Sequence, residues 1–191
     1  MAPIKLLDNR NVLEMTDKKL IHKGSHISLY KQKVPLPNNQ HTYYDLICHP
    51  GGSVMVAVDE ENRLSFITQP RPAMGGDVWE FPAGCLDPNE PPFEAAKREL
   101  EEEVGVVAEE WFELGSICTA PGFCDEVLHL FAARKLTETA TNFDHEEQIE
   151  THWLTVSEAD EKIQSGEIRD AKTLSLLYRL RSHPELNQLW G

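Results

Sequence analysis

A proline-led segment at residues 91–104 constrains the fold of this chain more than any other stretch of the sequence. Prolines are tolerated in the first turn of a helix, where backbone N–H groups have no partner within the helix, and Gly105 is typical of a helix end. The apolar residues of the segment recur at helical spacing and share one stripe: Phe93, Ala96, Leu100 and Val104. The segment therefore predicts an amphipathic helix whose apolar stripe packs against a hydrophobic core.

Three glutamates share a neighbouring face of the predicted helix. Glu99, Glu102 and Glu103 stand at positions i, i+3 and i+4, so their carboxylates converge. Like charges at this spacing repel one another, and a hard divalent cation such as Mg²⁺ or Mn²⁺, which prefers carboxylate oxygens, would relieve the repulsion. Such a cation would also let an acidic protein bind phosphate. The helix pattern alone leaves an alternative open, in which the glutamates only solvate an exposed face.

The charge balance narrows the class of partner. The 191 residues include 18 Lys and Arg against 32 Asp and Glu, a formal net charge of −14, and 40% of them are hydrophobic, enough for a core. Nucleic acids and anionic membranes both attract basic patches, so neither is expected to bind this chain. The sequence has no apolar run of membrane-spanning length, no secretory signal and no C-x-x-C pair among its cysteines. We therefore expect a soluble, cytoplasmic protein with reduced thiols.

A turn-rich stretch at residues 49–52, His-Pro-Gly-Gly, divides the chain into two parts. We expect residues 1–50 to form a small β-rich domain built on a long hairpin, and residues 51–191 to form the main domain. Strands are expected at 27–34, 42–48, 53–58, 64–69, 78–81, 111–119, 126–133 and 152–156, and helices at 91–104, 157–163 and 171–181. Ser157 would cap the second helix, because Asp160 follows it by three residues. Strands interleaved with helices predict an α/β fold with a sheet covered on both faces, and they leave the strand order open.

The stretch from 84 to 106 also contains a fixed pattern: a glycine, a glutamate after five residues, and after seven more the run Arg-Glu-apolar-x-Glu-Glu-x-Gly-apolar. The residues that form it are Gly84, Glu90, Arg98, Glu99, Leu100, Glu102, Glu103, Gly105 and Val106. This pattern resembles the Nudix box at every fixed position. The resemblance implies a Nudix hydrolase, with an α/β/α sandwich around a mixed sheet and cleavage of nucleoside diphosphates linked to another group.

The resemblance also implies roles for residues of the box. The ligands of the catalytic ion, Mg²⁺ or alternatively Mn²⁺, would be the carbonyl of Ala83 and the side chains of Glu99, Glu102 and Glu103. Arg98 and Glu102 would belong to the catalytic set, with Arg98 and Glu90 holding the loop and helix in shape. Two alternatives stay open: Glu90 as a solvent-exposed loop acid, and Arg98 as the cation of an ordinary surface ion pair.

Outside the box, three stretches resemble the ADP-ribose pyrophosphatase subgroup: residues 69–84, 119–126 and 166–173. The second of them is similar to a substrate loop, which implies substrate contacts from Pro121 and Gly122. The front hairpin resembles the domain through which these enzymes form swapped homodimers, so the resemblance implies a homodimer.

Two charged residues before the box are further candidates for substrate binding. Arg71 stands between prolines directly after a predicted strand, so a stiff loop would hold it where it can contact phosphate; a surface cation is the alternative. Glu80 lies within an otherwise apolar strand, and a buried carboxylate needs a partner. We expect Glu80 to contact the ligand or a metal-bound water.

The resemblance to the subgroup implies a general base outside the box, on a loop late in the chain. The acidic loop at residues 144–150 is the candidate, and Glu147 has the best spacing before the strand that follows. Glu146 is the second choice. A mobile acidic loop without a catalytic role is the alternative.

Three functions remain to be distinguished. The first is metal-dependent hydrolysis of ADP-ribose to AMP and ribose 5-phosphate. The second is hydrolysis of another nucleoside diphosphate sugar, such as a GDP- or UDP-linked hexose. The third is a non-catalytic module that binds a nucleotide as a sensor, which a degenerate box would favour; here all the box acids are present.

Overall fold

The computed structural model describes residues 17–141 and 148–190. The strands of this part are β1 (Lys18–Lys23), β2 (Ser28–Pro35), β3 (His41–Cys48), β4 (Gly52–Ala57), β5 (Leu64–Arg71), β6 (Gly76–Glu80), β7 (Ala83–Cys85), β8 (Val106–Cys118), β9 (Val127–Glu138) and β10 (Glu150–Leu154). The α-helices are α1 (Pro92–Glu99), α2 (Val156–Ser165) and α3 (Ala171–Ser182). Shorter helical turns are a π-helical turn at Leu100–Val104 and 3₁₀ turns at Pro37–Asn39, Pro72–Met74 and Asn187–Trp190.

The described chain divides into two compact units, of which the first comprises residues 17–51 and Cys118–Val127. Its sheet is antiparallel, in the order β1-β2-β3. β2 and β3 pair from Ser28 opposite Cys48 to Pro35 opposite His41, at the place where the sequence predicts a hairpin. The stretch Cys118–Val127, which lies within the main domain expected from the sequence, is part of this first unit.

The second unit, Gly52–Ile117 together with the chain from Leu128 onwards, holds two sheets. One has the order β10-β5-β6 and is antiparallel, and the other has the order β7-β4-β9-β8. The latter is mixed, because β4 runs parallel to β9 and antiparallel to β7. Sequence reasoning left this order open, since pairing between strands that are distant in the chain has no local signal.

The central strand β4 separates two hydrophobic clusters because successive side chains of a strand point to opposite faces. Val54 and Val56 join the cluster that contains Phe66, Phe81, Leu176 and Leu180, from β5, the residue after β6, and α3. Met55 and Ala57 join the cluster on the other face, with Ala96, Leu100 and Val104 of the α1 region. Helices thus cover both faces of a mixed sheet, and the predicted layered α/β fold is confirmed.

The predicted helix at 91–104 is confirmed in its position and its buried stripe, but it is not α-helical throughout. α1 ends at Glu99, and the backbone then widens into the π-helical turn Leu100–Val104, closed by Gly105 in the left-handed region at φ 72°. π-helical turns occur frequently at functional sites. This one contains two of the three glutamates that the sequence places on one face.

The predicted cap of α2 is wrong. Thr155, not Ser157, is the N-cap residue: the Glu158 N–H donates to Thr155 Oγ1 at 3.3 Å, and the Thr155 N–H donates to the Glu158 carboxylate at 2.8 Å. This reciprocal pair satisfies two backbone donors at once, whereas Ser157 with Asp160 could not start a helix that already begins at Val156. In residues 17–141 and 148–190, no helix combines the length and apolar character that crossing a bilayer requires.

Candidate active site

Arg98, on the last turn of α1, joins three acidic side chains of the box. Its Nε and Nη2 donate to the two carboxylate oxygens of Glu90, both at 2.9 Å. Its Nη1 donates to Glu99 Oε1 at 2.7 Å and to Glu102 Oε2 at 3.0 Å. The hydrogen bonds that Arg98 donates to Glu90, followed by those to the other two acids, raise the pKa of Arg98 above its ordinary value. Arg98 is therefore the centre of an ion-pair network, not the cation of a single surface pair.

Glu90 closes the loop that precedes α1. Besides its bidentate ion pair with Arg98, Glu90 accepts a hydrogen bond at Oε2 from the Asp87 N–H at 3.0 Å. The hydrogen bond from Arg98 is the main reason why the pKa of Glu90 lies below its ordinary value. Glu90 is thus a paired residue with its side chain 15% exposed, and the alternative of a solvated loop acid is wrong.

The Glu99 carboxylate occupies a space that only a glycine at position 84 leaves open. Glu99 is 9% exposed, and a Cβ added to Gly84 would overlap its carboxylate group. Because β7 carries Gly84 alongside α1, the absent side chain makes room for the acid. The need for space beside Glu99 therefore explains why the box pattern begins with a glycine.

Glu103, in the π-helical turn, is the most deeply buried of the box acids at 2% exposed. Its Oε2 accepts a hydrogen bond from the Ala83 N–H at 2.9 Å, and its backbone carbonyl accepts one from Thr151 Oγ1 at 3.0 Å. In this contact with Glu103, Ala83 takes part through its N–H. Its carbonyl as a metal ligand stays a prediction.

The side chains around Arg98 fit a divalent cation in charge and in donor chemistry. Arg98 bonds Glu90, Glu99 and Glu102, and Glu103 follows Glu102 in the same turn, so four acidic side chains stand against one guanidinium and supply the oxygen donors that hard cations prefer. Within the described ranges no three acidic, histidine or cysteine side chains are already arranged as a metal site. The guanidinium of Arg98 stands between Glu99 and Glu102, so a cation bound there would replace part of its contacts.

A second charged group joins Arg71, the last residue of β5, to Glu80, the last residue of β6. Arg71 Nε donates to Glu80 Oε1 at 2.9 Å, and Arg71 Nη2 donates to Glu80 Oε2 at 2.7 Å. Lys172 Nζ donates to the same Oε2 at 2.6 Å. Glu80 is 3% exposed, and burial by itself would raise its pKa, but the hydrogen bonds from Arg71 and the charge of Lys172 outweigh burial and lower it.

The contacts of Glu80 answer the question that the sequence raised about a buried carboxylate. Its partners are Arg71 and Lys172, so it does not need a ligand or a bound water to be satisfied. Arg71 is correspondingly not a free surface cation, although 40% of its side chain is exposed. The hydrogen bond to Glu80 is the main reason why the pKa of Arg71 is raised, and the charge of Glu103 contributes.

Sequence reasoning missed three residues at the start of α3: Asp170, Lys172 and Thr173. Asp170 is the N-cap, and Thr173 Oγ1 accepts a hydrogen bond from the Phe81 N–H at 2.8 Å. A signal was available, since a lysine in the first turn of a helix opposes the helix dipole and so needs a compensating acid. One such acid, Asp170, is local, but the second, Glu80, lies 92 residues earlier in the chain and has no local signal.

The remaining predicted site residues are the two of the substrate loop and the general-base candidates. Pro121 and Gly122 belong to the first unit, in a turn where the Ala120 carbonyl accepts hydrogen bonds from the Phe123 and Cys124 N–H groups. Glu147 and its alternative Glu146 lie outside the described residues.

A model of the NUDIX domain matches residues 49–177, which include all of the box. The chain belongs to the Nudix family. Nudix hydrolases generally use divalent metal ions, and the acids around Arg98 have the donor chemistry for one. The sequence-based identification of the family is confirmed.

Individual proteins resemble the chain over most of its length. It is 35% identical over 158 residues to the ADP-ribose pyrophosphatase of Bacillus subtilis (strain 168), covering 82% of this chain and 85% of that protein. It is 36% identical over 156 residues to the methanol dehydrogenase activator of Bacillus methanolicus, covering 81% and 84%. A GDP-mannose pyrophosphatase of Cronobacter sakazakii is 36% identical over 143 residues, covering 69% and 73%.

A solved structure agrees with this chain in fold. The crystal structure of an ADP compounds hydrolase superposes with a TM-score of 0.77 and 19% sequence identity, over 87% of this chain and 91% of that one. The Nudix-type α/β/α sandwich expected from the sequence is therefore confirmed.

Proposed function

We propose that this protein is a metal-dependent pyrophosphohydrolase that converts ADP-ribose and water to AMP and ribose 5-phosphate. The observation that carries the proposal is a complete and connected Nudix box in a chain whose B. subtilis relative is named an ADP-ribose pyrophosphatase. A sensor module would not need every acid of the box, and here each of them is present.

We assign the roles of the box residues from the burial and charge of their side chains. Glu99, Glu102 and Glu103 would hold the cation, Mg²⁺ or in its place Mn²⁺, with the Ala83 carbonyl as a further oxygen donor. When bound, a divalent ion polarises phosphoryl oxygens and makes a water molecule more acidic. Glu102, with 33% of its side chain exposed, is the most accessible of the three carboxylates, whereas Arg98 and Glu90 keep the loop on the helix.

Arg71 would bind the diphosphate. Its guanidinium is fixed by two hydrogen bonds to Glu80, and the charge that it presents to solvent is suited to two-pronged contacts with phosphate oxygens. Pro121 and Gly122 would contact the remainder of the substrate. Glu147 would take a proton from the attacking water as the bridging P–O bond breaks, with Glu146 as the alternative base.

A panel of nucleoside diphosphate sugars tests the function. We expect the purified protein with Mg²⁺ to release AMP and ribose 5-phosphate from ADP-ribose, and to lose this activity in EDTA. GDP-mannose is the informative competitor, because a GDP-mannose pyrophosphatase is among the relatives. Faster cleavage of GDP- or UDP-hexoses would make the second function the correct one, and no cleavage of any substrate would favour the sensor.

We also propose a cytoplasmic homodimer, formed through the domain at residues 1–50. Exposed apolar side chains of the first unit support self-association: Leu20, Ile21, Ile27, Tyr43 and Tyr44. Light scattering on the purified chain tests the dimer, and a monomeric mass at micromolar concentration would contradict it.

Cell fractionation tests the proposed cytoplasmic location.

A further inference from the structure

Four charged side chains form a cluster at the start of α3, within the second unit: Arg71, Glu80, Asp170 and Lys172. Lys172 lies at its centre, with Nζ 2.6 Å from Glu80 Oε2 and 3.0 Å from Asp170 Oδ2, and with only 14% of its side chain exposed. Two cations and two carboxylates make the cluster neutral as a whole. The loss of Lys172 would therefore leave a net negative charge among nearly buried groups.

The position of Lys172 in its helix is unfavourable for the helix itself. α3 begins at Ala171, so Lys172 stands in the first turn, where the helix dipole favours an acid and disfavours a cation. Its ammonium group pairs with the N-cap residue Asp170 and also with an acid outside the helix. The acid outside the helix is the buried carboxylate of Glu80, the shorter of the two contacts at 2.6 Å.

The start of α3 is fixed to the strand that leads into the box. Asp170 Oδ2 accepts hydrogen bonds from Thr173 N–H at 3.0 Å and from Thr173 Oγ1 at 2.7 Å. Thr173 Oγ1 in turn accepts the Phe81 N–H, one residue after Glu80. Lys172 is thus presented to Glu80 from a turn that is itself bonded to the end of β6.

The Glu80 carboxylate links Lys172 to Arg71, because it accepts hydrogen bonds from both side chains. Both carboxylate oxygens of Glu80 receive Arg71 donors, and Lys172 shares one of those oxygens. The terminal torsion of a glutamate is broad, so a carboxylate bonded from one direction can rotate. A second donor from α3 removes that freedom and so fixes the plane in which Arg71 pairs.

We propose that Lys172 is a positioning residue that orients the Arg71 guanidinium toward the substrate diphosphate by holding the Glu80 carboxylate. This inference rests on the proposed function for its substrate. Lys172 acts through Arg71 and does not itself contact the substrate. The chemical class recognised is a diphosphate, which meets Arg71 at its exposed side.

A double-mutant cycle tests the dependence on Arg71. We expect Lys172→Met to raise the KM for ADP-ribose by about tenfold or more, with kcat within about twofold, because displaced binding groups weaken ground-state and transition-state binding alike. In an Arg71→Met background the same change should have almost no further effect. Effects that multiply in the double variant would overturn the proposal, since they indicate direct substrate contact or a separate structural role.

Two further variants control for charge and for folding. Lys172→Arg keeps a cationic donor and should restore KM to within about threefold of wild type. Lys162→Met removes a lysine of the same unit that pairs with Glu167 and not with Glu80, and it should leave KM unchanged. A similar rise in KM for Lys162→Met would overturn the proposal in favour of general electrostatic attraction. If Lys172→Met does not fold, Lys172→Gln, which keeps a neutral donor, replaces it in the cycle.

A measurement without substrate separates this inference from the proposed function. The Nε–Hε NMR signal of Arg71, assigned by its loss in Arg71→Met, should show a rigid side chain in wild type and increased motion in Lys172→Met. Unchanged rigidity would overturn the inference whatever the enzyme hydrolyses. Absence of ADP-ribose cleavage by wild type would instead overturn the proposed function, and the NMR comparison would still decide the role of Lys172.

Discussion

At the scale of single residues, the site depends on space as much as on charge. Glu99 and Glu103 are nearly buried, yet each lies against the backbone of β7, where Gly84 provides room and the Ala83 N–H provides a donor. Arg98 then collects three acids around one guanidinium. A small change at any of these positions should therefore affect the geometry of the carboxylates more than the fold.

Gly84→Ala is the steric test of this arrangement. Its Cβ would overlap the Glu99 carboxylate, the far end of a flexible side chain, so the acid should move and the protein should still fold. We expect activity to fall by about a hundredfold, because displacement by about an ångström suffices for such a loss. Gly76→Ala, where an added Cβ meets nothing within 4 Å, is the matched control and should keep full activity. Wild-type kinetics in Gly84→Ala would refute the steric role.

Glu80 gives the stability a pH dependence whose sign is fixed. Its pKa in the folded protein lies below the ordinary value of 4.5, so folding favours the ionised form. The resulting stability is complete above that value and is lost as the pH falls through the lower, folded pKa. Urea unfolding between about pH 5 and pH 3 should therefore show a steeper loss of stability for wild type than for Glu80→Gln. Parallel profiles would contradict this assignment.

At the scale of elements, the ends of helices were harder to predict than their faces. The apolar stripe of the box helix was predictable because spacing along one helix determines which side chains share a face. The π-helical turn at Leu100–Val104 and the start of α2 were not, because several residues near each end offer competing hydrogen bonds. At α2 the reciprocal pair of Thr155 and Glu158 decided the outcome.

The corrected cap can be tested by comparing two alanine substitutions. Thr155→Ala removes the side chain that caps α2 and should lower the melting temperature by about 2–4 °C. Ser157→Ala, two residues further along and without a capping bond in the structure, should leave the melting temperature nearly unchanged. Calorimetry distinguishes the two, and the reverse order would restore the cap expected from the sequence.

At the scale of the whole molecule, binding of a cation should raise the free energy of unfolding. A ligand that binds only the folded state at about a hundred times its Kd adds about 2.7 kcal/mol. We therefore expect millimolar Mg²⁺ to raise the melting temperature of wild type. A variant with Glu99, Glu102 and Glu103 replaced by Gln should show no such rise, whereas Glu101→Gln, an exposed acid of the same turn, should retain it. An undiminished rise in the triple variant would refute the proposed metal ligands.

The sequence by itself determined the family, the amphipathic helix and the acids that it carries, because these features depend on residues within about 25 positions of one another. It also indicated that Glu80 needs a partner. Only the tertiary structure supplied its partners, Arg71 from the neighbouring strand and Lys172 from α3, and Lys172 and Thr173 reach Glu80 and Phe81 across 92 residues of chain. The physical reason is that periodicity fixes which face a side chain occupies, whereas strand order and the packing of α3 decide what that face meets.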